Sequence, residues 1–251
     1  MTQPDAAPLV GQTVLITGGA RRLGAAMAHA LHGAGANLVI HHRSSGADAA
    51  ALLAGFNAQR PRSATAVQAD LLDIARLPDL VAAVIRDFGR LDILINNASS
   101  FYPTPVGEIT TGQFDDLIGS NFRAPLFLSQ AAAPELRRRQ GLILNMVDIH
   151  GMRPLKEHTT YSSAKAALIM LTRSLARELA PEVRVNGIAP GPVMFPAAVD
   201  AAMQAEIIAK TLLKRAGNPQ DIAKAALYFA TMAPYVTGQI LAVDGGRSQG
   251  G

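Results

Sequence analysis

The sequence predicts an α/β protein: a doubly wound, seven-stranded parallel sheet with helices on both faces, in a single domain over residues 1–251. Two observations carry that expectation. Short runs of Val, Ile and Leu alternate with longer Ala/Leu-rich stretches from about residue 10 to residue 246. The short runs lack polar alternation, as a sheet covered on both faces demands. Alternating β and α segments imply right-handed crossovers, and so parallel strands.

The elements follow in order. Val14–Thr17 reads as the first strand and Leu23–Leu31 as a helix. Asn37–Ile40 is the second strand, Ala47–Phe56 a helix and Ala64–Gln68 the third strand. Leu80–Phe88 is helical and Leu91–Asn96 the fourth strand. Helical material fills Phe114–Leu136, before a fifth strand at Leu142–Val147. A long helix covers Tyr161–Leu179 and a sixth strand Val183–Asn186. Ile222–Thr231 is helical and Ile240–Val243 the seventh strand. The interval Pro190–Gly217 is the least regular, with Pro190, Pro192 and Pro196 before an amphipathic stretch. It reads as a substrate lid.

Composition removes several function classes. Apolar residues are 49% and charged residues 17%, enough to bury a large core and too apolar for a disordered chain. The absence of cysteine excludes disulfides, thiolate zinc sites, iron–sulfur clusters and a cysteine nucleophile. The net charge of +4 is spread along the chain. Its one basic run, Arg137–Arg139, reads as a solvated helix end favoured by the dipole, with a ligand or partner patch as the alternative. No basic face with interleaved aromatics points to nucleic acid. The N-terminus carries Asp5 and no positive n-region, so it does not read as a signal peptide. No apolar stretch reaches the ~18–20 residues that span a membrane. A soluble cytoplasmic protein is expected.

Chemistry begins at Thr17-Gly18-Gly19-Ala20-Arg21-Arg22-Leu23-Gly24, between the first strand and the first helix. Glycines there permit a tight turn and let backbone N–H groups approach a pyrophosphate. An ordinary βα loop is the bland alternative. Two arginines in the turn favour phosphate, because guanidinium pairs with it bidentately. The second strand ends in His41-His42-Arg43-Ser44, with no acid before Asp48. An acid there would hold a ribose 2′-hydroxyl and repel a 2′-phosphate. Arg43 and Ser44 favour the phosphate, so NADP(H) is expected over NAD(H). The histidine pair lacks a nearby third ligand, so no metal site is expected.

Tyr161-Ser162-Ser163-Ala164-Lys165 opens the long helix, and Tyr and Lys at i and i+4 share a face. A neighbouring ammonium and a nicotinamide cation would both lower the phenol pKa.

With these residues in place, the chain resembles the short-chain dehydrogenase/reductases over nearly its whole length. The matching pieces are the 17–24 loop, Asn96-Asn97-Ala98, Asn121, Tyr161 with Lys165, Pro190-Gly191 and Val243-Asp244-Gly245-Gly246. The resemblance implies a Rossmann-type fold and an NADPH/NADP+ cofactor. Tyr161 would then be the proton donor, and Lys165 would hold the ribose and lower the Tyr161 pKa. Asn121 would anchor a water leading to Lys165. It further implies cofactor contacts from Gly18, Arg21, Arg22, Leu23, Gly24, His42, Arg43, Ser44, Asp70, Leu71, Asn97, Ala98, Ser99, Pro190 and Gly191.

Two departures from the family pattern are informative. Arg22 stands where glycine is usual, and Asp148 stands thirteen residues before Tyr161, where serine is usual. A serine hydroxyl can donate to a substrate carbonyl, whereas an ionised carboxylate only accepts. A ketone reductase gains little from an acceptor there; a ring bearing N–H donors does. Both departures occur in the pteridine reductase branch, which the stretch Asn97-Ala98-Ser99-Ser100-Phe101-Tyr102-Pro103-Thr104-Pro105 also resembles. That resemblance implies a pterin stacked on Phe101 and touched by Arg22, Ser99, Asp148 and Tyr161. Taken alone, Phe101 is an ordinary loop or core aromatic, and Asp148 a cap or salt-bridge partner.

The reading is an NADPH-dependent pteridine reductase. A short-chain reductase of a ketone, such as a 3-oxoacyl thioester, is the alternative; a non-catalytic NADP(H) sensor is a third. Resemblance further implies a homotetramer. Size selection of the pterin would lie in Met194–Lys214.

Overall fold

The computed structural model describes residues 7–195 and 199–250. Asp5 and Pro196, both used above, lie outside the described residues. Seven strands, β1 (Thr13–Ile16), β2 (Asn37–His42), β3 (Ala64–Gln68), β4 (Ile93–Asn96), β5 (Leu142–Met146), β6 (Arg184–Pro190) and β7 (Ile240–Val243), join in one sheet. Their order is β3-β2-β1-β4-β5-β6-β7 and every pairing is parallel. The sheet reverses between β1 and β4, which opens a crevice at the carboxyl ends of those strands.

Neighbouring residues of one strand feed opposite layers. Val14 and Ile16 pack with Met27 and Leu31 of α1 (Arg22–Gly33) and Phe229 of α8 (Pro219–Thr231). Leu15 between them packs with Leu80 of α3 (Leu77–Phe88) and Leu128 of α5 (Ala124–Arg139). Both faces are therefore dry, and the strands need unbroken apolar runs. The remaining helices are α2 (Gly46–Gln59), α4 (Thr111–Ile118), α6 (Thr159–Glu178) and α7 (Ala201–Ala209).

Three elements differ from expectation. The helical material at 114–136 is two helices joined by a π-helical turn, Gly119–Arg123. Strand β6 runs on to Pro190 because Gly187–Pro190 pair with Ile240–Val243. Within the irregular interval, α7 forms with no buried residue, capped by Asp200 Oδ1 on the Met203 N–H at 2.8 Å. The basic run ends α5, where Arg138 and Arg139 both pair with the buried Glu135. No helix among the described residues is long and apolar enough to cross a membrane.

Candidate active site

The turn after β1 is held from three directions. The Thr17 hydroxyl accepts the N–H groups of Asn97 (2.8 Å) and Ala98 (3.0 Å). The Asn97 amide donates to the carbonyls of Thr17 (2.8 Å) and Gly18 (3.0 Å). The Gly18 N–H donates to His41 Nδ1 at 3.2 Å. A Cβ at Gly24 would lie 2.5 Å from the Gly18 oxygen and 2.9 Å from the Asn97 amide nitrogen. Only glycine lets α1 start this close to the turn. Leu23 beside it packs against the core.

Arg22 has φ +51°, a left-handed conformation that a glycine would adopt freely. Its exposed guanidinium reaches the Met194 carbonyl at 3.4 Å, within the interval expected to be a lid. Arg21 pairs with Asp48 through Nε at 2.6 Å, at the start of α2. That acid, the first after β2, is thus occupied by a guanidinium. Arg43 and Ser44 are exposed, and among the described residues the Arg43 side chain makes no ion pair. His42 Nδ1 is buried and has no hydrogen-bond partner among the described residues. Asp70 is exposed after β3 and Leu71 is buried. Pro190 pairs with Val243 across the sheet, and the Gly191 N–H donates to the Val243 carbonyl at 3.1 Å.

The carboxyl ends of β4 and β5 and the start of α6 bring the second group together. The Tyr161 hydroxyl donates to Asp148 Oδ2 at 2.8 Å. Asp148 Oδ1 caps a short 3-10 turn, Ile149–Gly151, by accepting the His150 N–H at 2.8 Å. A Cβ at Gly151 would lie 2.8 Å from the Lys165 carbonyl carbon, so this turn sits directly on α6. Lys165 is 3% exposed and donates to the Met146 carbonyl at 2.9 Å. Burial lowers its pKa to about 8, against a smaller opposing pull from Asp148.

The expectation that Lys165 lowers the Tyr161 pKa is corrected here. Tyr161 is 4% exposed, and its hydroxyl faces a carboxylate. Burial first, and Asp148 second, hold the phenol well above its ordinary value. The Lys165 ammonium is committed to Met146 and lies 5.6 Å from the tyrosine ring centroid.

Phe101 is 44% exposed, set nearly perpendicular to the Tyr161 ring (4.8 Å between centroids, 77°) and stacked on His158 (4.8 Å). Ser99 Oγ donates to Asn121 Oδ1 at 2.7 Å. The Asn121 amide donates to the carbonyls of Ser100 (2.9 Å) and Leu117 (3.0 Å). Asn121 therefore binds the Phe101 loop directly.

The family model described as enoyl-(acyl carrier protein) reductase matches residues 18–248. Pteridine reductase 1 of Leishmania tarentolae is 38% identical, with 99% of this chain and 99% of that protein covered. A 3-oxoacyl-(acyl-carrier-protein) reductase of Staphylococcus aureus is 31% identical over 94% of this chain and 97% of its own. The chain belongs to the short-chain dehydrogenase/reductase family. Among solved structures, a blue fluorescent protein from a metagenomic library, crystallised with NADPH, superimposes with a TM-score of 0.90 at 34% identity. The match covers 96% of this chain and 99% of that one.

As an oxidoreductase of this family, the protein carries a site that fits a phosphorylated dinucleotide. The glycine turn packs its backbone tightly against Ala98 and Asn97, at the start of α1, and the buried His42 nitrogen without a partner among the described residues lies beside the exposed Arg43 and Ser44.

Two contributors escaped the sequence reading. His41 is 2% exposed; Nδ1 accepts from Gly18 and Nε2 faces the Ala69 carbonyl at 3.1 Å. Burial lowers its pKa to about 4, so the ring is neutral and the tautomer is fixed. Asn96 donates to Asn145 Oδ1 at 2.8 Å, and Asn145 to Thr172 Oγ1 at 2.9 Å. This buried chain ties β4 to β5 and to α6. The available signal for His41 and Asn145 was a polar residue inside a strand buried on both faces, which must find partners.

Proposed function

We propose that this chain is an NADPH-dependent reductase of pterins, adding hydride to the carbon and a proton to the nitrogen of a ring C=N bond. The observation that carries the reading is the Tyr161–Asp148 hydrogen bond, with Phe101 exposed at its edge. A carboxylate accepts and cannot donate to a ketone oxygen. A pterin offers ring and amino N–H donors and a flat face for Phe101. Offset stacking adds ~0.5–1.5 kcal/mol beyond burial.

The phosphate turn, with Arg21 and Arg22, would hold the pyrophosphate, and His42, Arg43 and Ser44 the 2′-phosphate. Bound NADPH supplies the hydride. The raised Tyr161 pKa keeps its proton in place at neutral pH, on the line to Asp148 Oδ2. That proton is the one available to the ring nitrogen. Lys165 contributes a fixed positive charge beneath the tyrosine ring.

The S. aureus relative acts on a different class, and its likeness keeps a ketone reading alive. The deciding experiment follows NADPH and NADH oxidation with dihydrobiopterin, oxidised biopterin, dihydrofolate and an acetoacetyl thioester. Turnover of pterins with NADPH is expected. Turnover of the thioester alone overturns the pterin reading. The proposal extends to a homotetramer, supported by the apolar Phe114 (50% exposed) and Met170 (59% exposed) on α4 and α6. The mass of the particle in solution checks it.

A further inference from the structure

Phe101 sits in an irregular segment between β4 and α4, yet its backbone is fastened on one side at several atoms. Asp116 holds both flanking residues. Its Oδ1 accepts the Ser100 hydroxyl at 3.3 Å, and its Oδ2 accepts the Tyr102 hydroxyl at 3.0 Å. Ser100 is gripped twice more from the π turn that follows α4. Its N–H donates to Ser120 Oγ at 3.3 Å, and its carbonyl accepts from the Asn121 amide at 2.9 Å. Ser120 in turn donates to the Asp116 carbonyl at 2.8 Å.

The helix is built to supply this grip. Thr110 and Gln113 form a capping box that starts α4. Past α4 the chain widens into a π turn over Gly119–Arg123, and Ser120 and Asn121 of that turn reach Ser100 as Asp116 does. On the far side, Thr104 N–H donates to the Glu157 carbonyl at 2.6 Å, and Phe101 rests on His158. Burial and the facing Asp116 carboxylate both raise the Tyr102 pKa, so its hydroxyl keeps the proton that it donates.

We propose that Asp116 is a positioning residue for Phe101: by holding Ser100 and Tyr102 together, it fixes the aromatic platform on which the substrate ring stacks. Asp116 does not touch the reacting groups. The substrate part of this inference rests on the pterin reading above; the clamp itself does not.

The test compares Asp116→Ala, Asp116→Asn and wild-type protein by two readouts. Hydrogen exchange of residues 99–103 is followed in protein without substrate. Steady-state kinetics with NADPH and dihydrobiopterin give KM and kcat separately. Asp116→Ala is expected to speed exchange across 99–103 at least tenfold. It is expected to raise the pterin KM about tenfold, with kcat within threefold and NADPH affinity unchanged. Asp116→Asn keeps an acceptor for Tyr102 and offers a donor to Ser100, and is expected to restore most of both. Unchanged exchange in Asp116→Ala overturns the clamp, whatever the kinetics. Faster exchange with an unchanged KM overturns its role in substrate binding. A wild-type protein silent on pterins overturns the pterin reading, and the exchange data still decide the clamp. A uniform loss of NADPH binding, kcat and thermal stability that Asn fails to rescue assigns Asp116 to folding and overturns the proposal.

Discussion

The Tyr161 hydroxyl and Asp148 Oδ2 lie 2.8 Å apart, while the other oxygen of that carboxylate is fixed by the His150 N–H. One side chain thus caps a turn and aims an acceptor at the Tyr161 hydroxyl. Tyr161→Phe is expected to cut pterin turnover at least the ~10²-fold typical of a lost general acid. Asp148→Ser replaces the acceptor with a hydroxyl that can donate. It is expected to lose pterin turnover and to gain activity on an acetoacetyl thioester. Parallel assays of the two substrates read the exchange directly.

Lys165 couples pH to activity and stability with opposite signs. Its pKa is about 8 in the folded protein, against 10.5 ordinarily. The folded enzyme therefore loses the ammonium as pH rises through about 8, and kcat/KM is expected to fall there. Between pH 8 and 10.5 the unfolded chain binds more protons at this position than the folded one. Stability from this group alone rises across that window, by about 3 kcal/mol in total. A pH profile of kcat/KM and denaturant melts at matched pH values test both. Lys165→Met should abolish the alkaline stability gain.

His41 acts at the acid side. Its pKa is about 4 when folded and 6.5 ordinarily, so the neutral ring stabilises the fold above pH 6.5. As pH falls from 6.5 to 4 that contribution is lost, about 3 kcal/mol in all. His41→Leu orphans the Gly18 N–H and the Ala69 carbonyl. It is expected to cost ~1–3 kcal/mol at pH 7 and to flatten the slope between pH 6.5 and 4. Urea melts at pH 7, 6, 5 and 4 give the comparison.

Arg22 sits at φ +51°, which costs a non-glycine residue ~1–2 kcal/mol. Arg22→Gly removes that strain but adds ~0.5–1 kcal/mol of backbone entropy to the unfolded chain. Stability is expected to stay level or rise by up to about 1.5 kcal/mol. NADPH affinity should fall in Arg22→Gly and Arg22→Ala alike, whereas only Arg22→Ala retains the strain. Thermal melts and fluorescence titration of NADPH separate the two terms.

Much of the fold was legible because its strands are buried on both faces. Runs such as Leu142-Ile143-Leu144 admit few other readings. The end of β6 was not, because Gly187 and Pro190 read as breakers until β7 pairs with them. The π turn was equally invisible, since apolar periodicity does not distinguish i+4 from i+5 spacing over five residues. Helix α7 buries nothing, so no stripe marks it as an ordinary helix. At the site, Tyr161 and Lys165 were readable as an i, i+4 pair and Asp148 only through the family resemblance. Their electrostatics were not. The direction of the Tyr161 shift depends on burial and on the facing Asp148 carboxylate, which only the fold brings together.

The bonds from Asn97 and Thr17 into the phosphate turn join groups within the chain, so its shape does not wait for a ligand. A nucleotide arriving there meets a ready-made socket and loses little to ordering it. Capture should then be a one-step encounter: the observed rate climbs in proportion to nucleotide concentration, with no plateau from a slow rearrangement. Asn97→Ala would convert it to a two-step process whose rate saturates, and rapid mixing would show the bend.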